Sequence, residues 1–150
     1  MLLDWTLASL HHLAVFTLAA ILAFELALTA GAIESTAIAR LSRVDAWYGA
    51  MAALALAAGV ARVFLGVKGP EYYAGNAFFW TKMALFAAIA ALSVLPTMRY
   101  IVWRRASRDN EAYRPDAGAV RAVRRALWSE VALFAGIPLC AAAIARGCGM

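Results

Sequence analysis

The chain has 150 residues, 65% of them hydrophobic, with a formal net charge of +5 and a mean hydropathy of +0.73. A soluble domain of this length is close to half apolar, so the excess requires lipid as solvent and leaves no room for a soluble domain. Nucleic acid is excluded as the partner of the positive charge, because the arginines cluster between apolar stretches, where positive-inside topology accounts for them.

A helix needs about 20 mostly apolar residues to cross a bilayer. Four stretches are predicted to do so, approximately 5–31, 45–67, 77–103 and 126–145, making residues 1–150 one transmembrane domain. The first follows Asp4, has no basic segment before it and is too long for a usual leader core, so it reads as a span and not a signal peptide. Between Trp5 and Gly31 its only ionisable residues are His11, His12 and Glu25, and the chain has no other histidine. An ionisable side chain inside a membrane is a functional-site hypothesis by default. Adjacent helical residues point about 100° apart, so one histidine is expected to face the bundle and the other the interface. The sequence leaves open which.

The second span opens on Asp45, carries a small-residue stripe of Ala52, Ala55 and Gly59, and holds Arg62 toward its far end. Such a stripe lets a neighbouring helix approach closely. The third opens with Trp80-Thr81-Lys82 and ends near Arg99. The segment 104–125 contains seven arginines and reads as helical from Asp116 onward, with Asp116 as cap and Val120, Val123 and Leu127 at helical spacing. The fourth span opens near Glu130 and contains Cys140, which with Cys148 matches no zinc or redox spacing. Trp5, Trp47, Trp80, Trp103 and Trp128 each fall near a span end and are expected in the interfacial aromatic belt.

Arg40 and Arg43 follow the first span and the seven-arginine segment follows the third, whereas the loop between spans two and three holds only Lys68 against Glu71. The charge asymmetry predicts an all-α integral membrane four-helix bundle, N-out and C-out, with both basic loops cytoplasmic. Placed by depth, the polar residues form two layers. His11, His12, Arg62 and Lys82 make an outer layer of cations and imidazoles without a carboxylate. It suits an anion or a metal–anion group, such as haem with its propionates, an anionic substrate or a lipid phosphate. Lys82 and Arg62 also have the stem length to snorkel to the headgroups. Glu25, Asp45, Arg99 and Glu130 make an inner layer, expected to close the cytoplasmic end as an ion-pair network with Arg43. The alternative is a proton path toward the outer site.

The order of an early His11-His12 pair, Arg62 to Gly66, and Trp80-Thr81-Lys82 resembles an uncharacterised family of small bacterial four-helix membrane proteins, a domain of unknown function (DUF 2214). More distantly it is similar to HemJ-type protoporphyrinogen oxidases and CopD-like copper-resistance membrane proteins. The resemblance implies a multi-pass protein of the bacterial inner membrane. The HemJ likeness implies haem b as cofactor, with His11 or His12 as the metal ligand and Lys82 as a cofactor-binding and catalytic residue; Arg62, in the same polar layer, is expected to partner the propionates. If the protein is an enzyme, that likeness implies a haem-dependent membrane oxidoreductase acting with a quinone or a porphyrin. With no third histidine, two imidazoles on one haem would have to come from two subunits. The competing expectation is a non-enzymatic membrane subunit or small ion or metal transporter without haem. Partners expected on either reading are the lipid bilayer and a homo-oligomer or larger membrane complex.

Overall fold

The computed structural model describes residues 2–149. It contains α1 (Leu2–Leu28), α2 (Ser35–Leu65), the short α3 (Gly69–Ala74), α4 (Ala77–Asp109) and α5 (Ala117–Ala145), with no strand among the described residues. The four long helices are each apolar and long enough to cross a membrane. Helices α1 and α2 pack as one antiparallel hairpin and α4 and α5 as another. The hairpins meet along α2–α4 and, less extensively, α1–α5, which leaves α1 opposite α4 and α2 opposite α5 across the bundle.

All four helices lie where apolar stretches predicted them, but three outlast those stretches at the basic-loop end. Helix α2 starts at Ser35, α4 runs to Asp109, and α5 starts at Ala117. Asp116 caps α5 as its sequence position suggests, its carboxylate accepting from the Ala119 amide at 3.0 Å. In this extension the exposed faces carry Arg40, Arg43, Arg105, Arg108, Arg121 and Arg125. Inside lie Ile38, Leu41, Tyr100, Trp103, Val123 and Leu127, the tightest part of the core. Water on the outside drives large apolar side chains inward. Between lipid-facing helices that drive is weak, and small residues do the packing.

Trp103 corrects the aromatic-belt reading. Trp5, Trp47, Trp80 and Trp128 are exposed, but Trp103 is only 2% exposed and packs on Tyr100 with ring centroids 5.8 Å apart. Because the bundle continues beyond the third apolar stretch, the position that looked interfacial is in the middle of a packed helix layer.

The other end is fastened through Asn76, which is fully buried. Its side-chain oxygen accepts from the Phe78 and Phe79 amides at 3.0 and 3.2 Å, capping α4. Its amide nitrogen donates to the Cys148 carbonyl at 2.9 Å, and the Ala77 amide donates to the Gly149 carbonyl at 3.0 Å. Asn76→Ala removes the cap and leaves buried backbone groups unpaired, an expected cost of about 2 kcal/mol. Thermal unfolding of the detergent-purified variant reads this as a lowered midpoint; an unchanged midpoint would show that the tail contact is not formed.

Candidate functional site

Along α1 the inward face is His11, Ala14, Leu18, Leu22 and Glu25, a helical stripe with spacings of three and four. The structure therefore separates the two histidines. His12 is exposed and its Nδ1 bonds to the Ala8 carbonyl of its own helix at 2.6 Å. His11 turns into the bundle, where its Nδ1 lies 2.9 Å from the Ala55 carbonyl of α2. A carbonyl oxygen only accepts, so Nδ1 carries the proton there. That leaves Nε2 with its lone pair free, the tautomer a ring-nitrogen metal ligand requires.

The small stripe of α2 makes this possible. A Cβ built on Gly59 would stand 3.3 Å from His11 Cε1 and 3.4 Å from Nδ1, so the ring lies directly on the glycine. Ala55, one turn earlier, supplies the carbonyl.

His11, Arg62 and Lys82 line one cavity of about 120 Å³, walled by apolar and aromatic residues of all four long helices. Tyr73 of α3 also reaches it, with its ring centroid 5.5 Å from that of Phe79. No carboxylate lines the cavity. Arg62 Nε is buried without a hydrogen-bond partner, and Lys82 makes no hydrogen bond or ion pair among the described residues. A second cavity of about 250 Å³ shares Leu18, Phe86, Phe134 and Ile137 with the first and follows the α2–α4 seam to Asp45, Tyr48 and Thr97. Together they form a cleft between the hairpins.

Sequence reasoning placed His11, Arg62 and Lys82 at similar depth, and the structure brings all three together. It missed Met83 and Tyr73, while Gly59 belongs to the small-residue stripe it had marked. Met83 follows Lys82 by one position and lines the same cavity. Gly69-Pro70, with Pro70 in the first turn of α3, is the signal that could have found that helix and its Tyr72-Tyr73 pair.

The inner layer differs from the ion-pair network expected of it. Arg43 and Arg99 are exposed, and the ion pair found among the described residues joins Arg114 to Glu34 at 3.9 Å on the surface. Helical phase is the reason: Tyr100 takes the inward position next to Arg99, and Tyr48 the inward position one turn after Asp45. Tyr100 Oη donates to Glu25 Oε2 at 3.4 Å, Tyr48 Oη to Glu130 Oε2 at 3.2 Å, and Thr97 Oγ1 to Asp45 Oδ1 at 2.8 Å.

The donor set discriminates between metal groups. A bare copper or zinc ion takes three or four protein ligands, and no group of three His, Cys, Asp or Glu side chains gathers among the described residues. A haem needs only one or two. A free Nε2, an unpaired guanidinium nitrogen, an unpaired ammonium and an apolar wall match the iron, the propionates and the macrocycle. The donor chemistry of these residues suits that group, while the cavity they line is smaller than the macrocycle.

The family model described as "Predicted membrane protein (DUF2214)" matches residues 3–149. The chain belongs to this DUF2214 family. No curated protein and no solved structure was found to match the chain. Membership and the four apolar helices make this DUF2214 chain a multi-pass membrane protein in contact with lipid.

Proposed function

We propose that this DUF2214 protein binds haem b in the cleft between its hairpins and serves as a membrane redox protein. The observation that supports the reading most is His11, held by Ala55 with Nε2 free beside two unpaired cations. His11 would hold the iron through Nε2 in this proposal. Arg62 meets the propionates, and Lys82 acts as a second propionate partner or as the proton-handling residue for a substrate. Met83 offers a thioether, a known axial donor. Haem would supply one-electron chemistry, suited to a lipid-soluble quinone or porphyrin that reaches the cleft from the bilayer. The orientation proposed is basic loops inside, in the bacterial inner membrane, with the cleft toward the outer side.

The size of the cavity favours a second reading. At about 120 Å³ it is below the roughly 300–1,000 Å³ of ordinary ligand sites, so a macrocycle must occupy both cavities and part the hairpins. A non-enzymatic subunit or small-ion carrier would need no such opening. A reduced-minus-oxidised spectrum of the purified protein, with haem and metal counted per chain, separates the two. About one haem per chain with a Soret band and sharp α and β bands is expected. A colourless, metal-free protein after haem reconstitution would leave the subunit reading.

A further inference from the structure

The opposite end of the bundle holds acidic groups that the outer cavity does not use. Glu25 is 3% exposed and Glu130 1% exposed. Each has one carboxyl oxygen bonded to a tyrosine, while Glu25 Oε1 and Glu130 Oε1 are buried with no hydrogen-bond partner. The groups facing them come from every long helix: Glu25 from α1, Asp45 and Tyr48 from α2, Tyr100 from α4 and Glu130 from α5. None of these is a cation, and Arg43 and Arg99 at the same level point outward.

Ionised carboxylates buried without a counter-charge cost several kcal/mol each. Glu25 and Glu130, both buried in an apolar bundle, need positive charge from elsewhere. Neither Glu25 nor Glu130 lines either cavity of the cleft, so the cleft itself brings no hydrated metal ion against them. The proton is the cation that needs no cavity, and binding one removes the negative charge that burial penalises. Asp45 does line the cleft and is 2.8 Å from Thr97 Oγ1. It therefore stands on the passage that leads toward His11.

We propose that Glu25 and Glu130, with their orphaned oxygens and their tyrosine donors, form a proton-binding site at the basic-loop end of the bundle, with Asp45 as its connection to the inter-hairpin cleft. The site does not depend on what fills the outer cavity. It stores protons within the membrane protein, available to whatever chemistry or transport the cleft performs.

Infrared spectroscopy of the full-length purified protein, haem-loaded or not, tests this. A carboxylic-acid C=O stretch is expected at neutral pH, shifting in deuterium oxide, with roughly half its intensity lost in Glu25→Gln or Glu130→Gln and nearly all in the double variant. Tyr48→Phe and Tyr100→Phe keep the carboxyls and shorten no side chain. They are expected to shift the band's frequency, and they keep the test open should the Gln variants fail to fold. Absence of the band in the unaltered protein overturns the proposal. So does a band indifferent to all four substitutions, or one abolished by added sodium or calcium at constant pH, which would assign the site to a metal cation.

Discussion

His11→Ala is expected to abolish haem retention, lowering the haem-to-chain ratio by more than tenfold, while His12→Ala leaves it within experimental error of the unaltered protein. Sequence alone treats these neighbours alike. Their surroundings do not. His12 sits on the lipid-facing side, its ring nitrogen satisfied within its own turn. His11 is oriented by the Ala55 carbonyl and rests on Gly59. Loss of a metal ligand's orienting partner typically weakens binding by about 10–100-fold, and loss of the ligand itself costs more. Gly59→Ala belongs to the first class, because its methyl group pushes the ring by a few tenths of an ångström. A pyridine haemochrome assay on the three variants, after confirming each is folded by circular dichroism, gives the order. Equal loss in both histidine variants would contradict the assignment of His11 as sole imidazole ligand.

The second large effect is structural. Trp103→Ala is expected to destabilise the bundle by about 3–5 kcal/mol, the usual range for emptying a buried tryptophan site. Trp128→Ala, on an exposed indole, should cost far less. Trp103 lies among Ile38, Leu41, Val123 and Leu127, where three helices run past their apolar stretches and water supplies the driving force. Denaturant titration in a mild detergent, followed by circular dichroism, measures both. A similar loss for the two variants would mean that Trp103 is solvated by detergent and that the basic-loop end is not packed as described.

How much of this was legible follows from the physics of each signal. The four spans were readable because lipid-facing helices are apolar on every side. The first ten residues of α2 were not, because Ser35, Thr36, Arg40, Ser42 and Arg43 conceal Ile38 and Leu41 on the inward face. A hydropathy average discards that phase. The depth of His11, Arg62 and Lys82 was legible from the helical rise, and their convergence followed. Which histidine turned inward was not, since it depends on the rotation of α1 against Ala55 and Gly59. The inner layer misled for a related reason. Charge counting paired Glu25 and Glu130 with arginines at the same depth, but rotation delivered tyrosine hydroxyls to them.

Those two tyrosine bonds run across the diagonals of the bundle. Tyr48 of one hairpin holds Glu130 of the other, and Tyr100 returns the gesture to Glu25. With the Trp103 layer just beyond, side-chain bonds across both diagonals and a packed core tie the hairpins together at this end. Near His11, by contrast, the ring's bond stays within one hairpin, and the Asn76–Cys148 bond within the other; Lys68 and Tyr72 reach across to the Ile144 carbonyl. The diagonal bonds lie about 21 Å along the bundle from the level of His11, fourteen residues of helical rise. A splay of about 5° about those bonds would widen the cleft at His11 by roughly 2 Å, and the Lys68 and Tyr72 bonds to Ile144 oppose it. Widening the cleft therefore means flexing the diagonal bonds at one end and parting Tyr72 and Lys68 from Ile144 at the other.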